Sequence, residues 1–195
     1  MRTRNTDKEN LVKQKAIELI VKEGLEGFSM NKLAKACKIS VNTLYIYYKD
    51  RDDLIIKIAC EEGKAMSDIM VDEFDSNAGF EDGLRAQWLS RYKFLIDKPL
   101  LNSFFDQLQS STYQTKFSEA TNEYKDKVTA FVQNAVDRDE IDKLSLEVYW
   151  SLAFAPLHTL INFHHKGKGP AGETFKMNDE LLWSTFNLVV KALKK

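Results

Sequence analysis

Within residues 42–47 the chain sets a carboxamide, hydroxyls and a branched alkyl group almost side by side: Asn42, Thr43, Tyr45, Ile46 and Tyr47. These groups donate and accept hydrogen bonds and make apolar contact, which is the chemistry that reads base edges in the DNA major groove. An ordinary solvated helix face carries a mixture of Glu and Lys instead. Lys49 and Arg51 follow at once and can hold phosphates. Other chemistry is thinly represented. The histidines are His158, His164 and His165, and no Cys or acidic pair stands beside them at metal-ligand spacing. Cys37 and Cys60 fall inside helical patterns and read as small buried residues of a reducing compartment. Nucleophile-elbow, phosphate-loop, dinucleotide and zinc-protease signatures are absent from the sequence. No enzyme, catalytic residue, metal site or cofactor is expected.

The elements that must position the reading face are short. Met30, Leu33, Ala34 and Cys37 recur at steps of three and four, so they share one helix face. Ser29 can cap that helix, with Phe28 and Leu33 placed as a hydrophobic staple around it. Lys38-Ile39 breaks the pattern, and Ser40 can cap a second helix whose Leu44 and Tyr48, four apart, pack inward. Two short helices across a tight turn can form a helix-turn-helix, the second lying in the groove. The same periodicity also occurs in plain helix packing. By spacing, Val41 falls near Leu44 and inward.

The run Leu33-Ala34-Lys35, Ile39-Ser40, then Thr43-Leu44-Tyr45-Ile46-Tyr47-Tyr48-Lys49-Asp50-Arg51-Asp52-Asp53-Leu54 resembles the DNA-binding signature of the TetR (tetracycline-repressor-like) family. The resemblance covers about the first 60 residues and departs from the usual pattern in three places. Lys38 stands where the family has a turn glycine, Arg51 replaces the lysine that starts the next helix, and Tyr48 replaces a core phenylalanine. The Lys38 departure asks a non-glycine residue to adopt a left-handed conformation. The resemblance implies that Ser29, Ser40, Val41, Asn42, Thr43, Tyr45, Ile46, Tyr47, Lys49 and Arg51 contact DNA. Asn42 and Ile46 would read bases, the first by hydrogen bonds and the second against a thymine methyl, and Ser29, Thr43, Tyr45, Tyr47, Lys49 and Arg51 would hold phosphates. At Val41 the resemblance faces the side chain to the groove, against the spacing.

The formal net charge of −1 hides an asymmetry: residues 1–49 are net basic and the remainder net acidic. A phosphate-binding module joined to a body that does not bind DNA shows such a division. No apolar run of membrane-spanning length and no signal-peptide core occurs, so a cytoplasmic protein with no membrane partner is expected. Few prolines, few glycines and little alternating β-branched pattern point to an all-α chain of about nine helices. The division is a helix-turn-helix domain, 1–49, followed by a larger helical domain, 50–195, to which the resemblance gives effector binding and dimerisation. Residues 1–6 read as a polar arm, either a disordered terminus, the favoured reading, or one whose Arg2 and Arg4 reach phosphates or the minor groove. Helices are expected over about 7–23, 51–74, 80–97, 99–108, from Phe117 or shortly before to 138, 145–165 and 178–193. Gly24 stops the first, Asp50 and Pro99 open two others, and Pro156 kinks the segment it lies in.

Most aromatic residues lie beyond residue 75. In TetR-like proteins the equivalent helices enclose an effector pocket. By position its candidates here are Trp88, Tyr92, Phe104, Phe105, Phe131, Tyr149, Trp150, Phe154 and His158. No buried charge is evident, so a small, mostly apolar effector is expected. The last helix is apolar nearly all round and needs cover. The resemblance implies a homodimer through the last two helices, for which Leu157, Ile161, Leu182, Phe186, Val189 and Val190 are the interface candidates. The functional expectation is a ligand-responsive repressor on a pseudo-palindromic DNA operator. The alternative is a helical small-molecule-binding or protein-interaction module without sequence-specific DNA binding.

Overall fold

Capping residues and breakers divide the described residues, 3–195, into eleven α-helices in a computed structural model. They are α1 (Thr3–Gly27), α2 (Met30–Cys37), α3 (Val41–Tyr47), α4 (Arg51–Asp72), α5 (Phe80–Leu95) and α6 (Pro99–Gln109). Then come α7 (Gln114–Ala120), α8 (Asn122–Asp137), α9 (Leu146–Ala153), α10 (Ala155–Lys166) and α11 (Asp179–Leu193). Beyond the helices, the described residues make only two isolated bridges, Ile141 with Lys194 and Lys168 with Thr174. No described helix is long and apolar enough to cross a membrane.

The all-α expectation holds and the count of nine does not. The segment expected to run to residue 138 is two helices, α7 and α8, parted at Thr121. The segment around Pro156 breaks outright: Phe154 leaves helical geometry and Pro156 falls in the first turn of α10. Proline has no N–H to give and crowds the preceding turn, so α9 cannot continue through it. The first helix begins at Thr3 rather than Asp7. Arg2 and the side chain of Arg4, candidates for an arm, lie outside the described residues. Gly24 takes φ 77° and ψ 166°, so regular helix stops there as expected.

The helices pack as two units. The first holds the described residues up to Ala65 together with Pro99–Thr121. In it α1 packs on α2 and α6, α2 on α3, and α6 on α7. Its core includes Val12, Ala16, Ile20, Leu33, Leu44, Leu54, Ile55, Ile58, Phe104 and Leu108, each almost fully buried. The second unit holds Met66–Lys98 and Asn122–Lys195. There α5 packs on α8, α10 and α11, and α9 packs on α10 and α11. Its core is aromatic. Phe80 stacks on Phe131, Phe74 meets Phe131 edge-on, and Trp88 meets Phe186 edge-on. Trp88 Nε1 also donates to the Ala153 carbonyl at 2.7 Å, so the indole satisfies a carbonyl at the break between α9 and α10. This division by packing is a different cut from 1–49 and 50–195, because α6 and α7 join α1, α2 and α3 in the first unit.

Candidate nucleic-acid interface

The reading face depends on three local devices. Ser29 caps α2 by accepting from the Lys32 N–H at 3.4 Å, and Phe28 and Leu33 beside it are buried, as a staple requires. Lys38 ends α2 at φ 56°, ψ 41°, the left-handed conformation expected of it. The following Ile39 N–H donates back to the Ala34 carbonyl at 3.0 Å, the long bond of a Schellman ending. Ser40 then caps α3, accepting from the Thr43 N–H at 3.2 Å and lying 2.8 Å from the Thr43 hydroxyl. Leu44 alone in α3 is buried, and it anchors the helix.

Everything else on α3 is turned out or half-covered. Ile46 is 76% exposed, Tyr45 51% and Tyr47 42%, and Asn42 is exposed with them. Burying large apolar groups is favourable, so leaving three of them on one two-turn helix calls for a partner surface. Val41 and Thr43 are half-buried, between the two expectations for Val41. The far end of α3 is held by Lys57, whose Nζ donates to the Tyr47 carbonyl at 3.1 Å and pairs with Asp53 at 3.0 Å. Asp50 caps α4 by accepting from the Asp53 N–H at 2.8 Å, and Asp53 accepts from the Lys49 N–H at 2.9 Å. That bond first, and Lys57 second, hold the Asp53 carboxyl below the usual range. Lys35, Lys38 and Lys49 remain exposed around this face.

Arg51 departs from the expectation that it holds a phosphate. Its Nε donates to the Phe28 carbonyl at 3.2 Å, and Nη2 donates to the Leu25 carbonyl. Nη1 donates to the Tyr113 hydroxyl and to Asp52 Oδ1, both at 2.9 Å. Every guanidinium nitrogen is therefore engaged inside the first unit, and the side chain works as a clasp. Ser29 is half-exposed, with its hydroxyl spent on the cap.

The candidates for an effector pocket do not gather in one place. Phe104 and Phe105 are buried in the first unit, where Phe105 packs on Phe117 with ring centres 5.0 Å apart. The other seven belong to the second unit. Trp88 and Phe131 are ordinary core, and Tyr92 is half-exposed. Tyr149, Trp150, Phe154 and His158 do come together, around a residue absent from the expectation: Arg91, buried on α5. The expected absence of a buried charge is thus overturned. The signal was legible, because Arg91 falls three residues after Trp88 and seven after Leu84, on their stripe.

The six interface candidates, Leu157, Ile161, Leu182, Phe186, Val189 and Val190, are all buried by the chain itself. The large apolar side chains left outside on α9 and α11 are Leu146, Val148, Leu152 and Leu188, the last 68% exposed. Among the described residues no group of three or more His, Cys, Asp or Glu is placed to hold a metal.

Residues 14–58, which run from α1 through the two short helices into α4, match the family model for bacterial regulatory proteins, tetR family. A Haemophilus influenzae protein named as an HTH-type transcriptional regulator is 29% identical over 110 residues, 56% of this chain and 59% of that relative. The match therefore spans less than two thirds of the relative's length. Among solved structures, a TetR family transcription regulator from Marinobacter aquaeolei superposes with a TM-score of 0.83 at 22% identity, covering 100% of both chains. A TetR-family transcriptional regulator from Haemophilus influenzae gives 0.71 at 22% identity, covering 98% of this chain and 99% of that one. At such identities the two structures show a shared fold.

Proposed function

We propose a mode of action for this chain, which belongs to the TetR family of transcriptional regulators and carries that family's DNA-binding helix-turn-helix domain. It acts as a cytoplasmic homodimer, each subunit laying α3 into one of two successive major grooves of a pseudo-palindromic operator. Asn42 and Ile46 read base edges. Tyr45, Tyr47, Thr43 and Lys49 position the head on phosphates, with Ser29, Ser40 and Val41 at the margin. The observation that carries this reading is the exposure of Tyr45, Ile46 and Tyr47 on a helix held by both of its ends. The partner subunit covers the exposed apolar residues of α9 and α11, Val148, Leu152 and Leu188, rather than residues already buried. A small effector in the second unit relieves repression by favouring a state whose two heads are wrongly spaced for DNA. That requires the effector to bind the two states with different affinity.

Selection of bound sequences from random DNA tests the proposal. The intact protein should recover a two-fold-related pair of half-sites. Asn42→Ala should relax preference at one or two positions by ~1–3 kcal/mol, and Ile46→Ala should relax it where a thymine stands. Uniform, sequence-blind binding with a shallow salt dependence would favour the alternative module. Lys38 lends that alternative little support, because the left-handed turn it must form is made with its backbone bonds in place.

A further inference from the structure

A guanidinium keeps its charge in any protein setting, and taking a charge out of water is costly unless a counter-charge and hydrogen bonds meet it. Arg91 is 3% exposed. Its Nη2 donates to the Tyr124 hydroxyl at 3.0 Å, and that hydroxyl donates onward to Gln87 Oε1 at 3.2 Å. Its carbon lies 4.0 Å from the centre of the Phe154 ring and 4.9 Å from those of Tyr124 and Trp150. Ring faces attract a cation without neutralising it. Among the described residues no carboxylate forms an ion pair with Arg91, and its Nε is buried with no hydrogen-bond partner.

Two more buried polar atoms without partners belong to groups that feel the charge of Arg91. They are the hydroxyl of Tyr149 and Nε2 of His158. The Tyr149 ring meets Phe154 edge-on at 6.0 Å, and His158 follows one turn along, its N–H donating to the Phe154 carbonyl at 3.1 Å. Arg91 Nε–H and Tyr149 O–H are donors, and His158 Nε2 is one when its neutral ring carries the proton there. Arg91, Tyr149 and His158 thus each carry a buried polar atom that nothing meets, and one of the three groups is a positive charge.

We propose that Arg91, Tyr149 and His158 receive the carboxylate of a small organic acid whose apolar or aromatic body lies against Trp150 and Phe154. A planar, singly charged acceptor matches the guanidinium fork and its one charge. His158 adds no second charge, because burial and then Arg91 push its imidazole down to about 3. Trp150 is half-buried, and His158 keeps part of its surface exposed while its Nε2 is covered, so the ligand comes in past Trp150. The assignment names the ligand class for the effector of the reading above and rests on that reading.

Calorimetry on the full chain tests it with benzoate, phenylacetate, octanoate and decanoate, each paired with its primary amide. At least one acid should bind, with its amide at least tenfold weaker. Tyr149→Phe, which keeps the ring, should weaken that acid about tenfold, and Arg91→Met should abolish its binding. Acid and amide binding alike, undiminished binding by both variants, or no binding by any acid of the series would overturn the assignment. The bound acid is then added to the protein on its selected operator. An acid that binds through Arg91 yet leaves operator affinity unchanged upholds the carboxylate site and removes its role as effector.

Discussion

Arg51 on the first turn of α4 donates from Nη1 to the hydroxyl of Tyr113, 62 residues further along the chain, at 2.9 Å. The Tyr113 hydroxyl in turn donates to Asp52 Oδ1 at 2.5 Å, and Asp52 accepts from the same Arg51 nitrogen. The three groups close a triangle. Burial first, and the bond to Asp52 second, push the Tyr113 hydroxyl up to about 12, so it stays protonated and keeps donating. With its other nitrogens on the carbonyls of Leu25 and Phe28, Arg51 fastens three chain segments of the first unit.

Removing the Tyr113 hydroxyl should therefore cost stability rather than phosphate contacts. Tyr113→Phe leaves a charged donor short of one partner, a loss of about 1–2 kcal/mol, read as a lower urea midpoint. Its salt slope on DNA should match that of the unaltered protein. Lys49→Ala should behave in the opposite way, with unchanged stability and a slope reduced by about one ion per subunit. A reduced slope in Tyr113→Phe would return Arg51 to the DNA.

Lys38→Gly tests the turn. The lysine holds φ 56°, a region in which a Cβ is mildly strained. Glycine enters that region freely but also loosens the unfolded chain, and the two effects oppose each other. Relief of strain should win by up to about 1 kcal/mol, raising the melting temperature with operator preference unchanged. A fall in stability would show that the Lys38 side chain contributes something its exposed position does not reveal.

Local signals carried most of the helix plan. Ser29, Ser40, Asp50, Ser145 and Asn178 each cap the helix that follows, and Gly24, Pro99 and Pro156 act where backbone sterics demand. The features that escaped depend on distant partners. Arg51 reads as a phosphate ligand until Tyr113, from the stretch between two expected helices, is seen against it. Arg91 was on the apolar stripe of α5 all along, but a charged residue usually turns to water, and its aromatic neighbours come from α8, α9 and the α9–α10 break. The six interface candidates show the same limit from the other side. An apolar residue signals that it needs cover, without signalling whether the cover comes from its own chain.

Gly83 offers a test of packing in the second unit whose sign runs against helix propensity. Alanine is the better helix former by about 1 kcal/mol, so the exchange should stabilise an open position. Here a Cβ would lie 2.3 Å from Phe131 Cε2 and 2.8 Å from Cζ. Phe131 is fully buried between Phe80 and Phe74 and has nowhere to retreat. Gly83→Ala should lower stability by about 1–3 kcal/mol, measured as a drop in melting temperature. An unchanged or higher value would mean that the aromatic core repacks at little cost.

His158 should make the fold sensitive to acid. In the unfolded chain its imidazole titrates at the ordinary 6.5, while burial and the neighbouring Arg91 hold it to about 3 in the folded chain. Between those values the unfolded chain takes up a proton that the folded chain refuses. Stability is therefore complete above 6.5 and falls as the pH drops through the window, by up to about 1.4 kcal/mol per pH unit. The other groups around it, Tyr149 and Tyr124, are pushed upward by burial and stay neutral throughout, while Arg91 stays charged. Carboxylates elsewhere also protonate in this range, so the measurement is a difference. Urea midpoints of the unaltered protein and of His158→Gln, followed from pH 7 to pH 4.5, should converge or cross as the pH falls, since glutamine has no proton to take up. Parallel curves would mean that His158 titrates alike in the folded and unfolded chains, and that Arg91 lies in a wetter, better-compensated place than its burial implies.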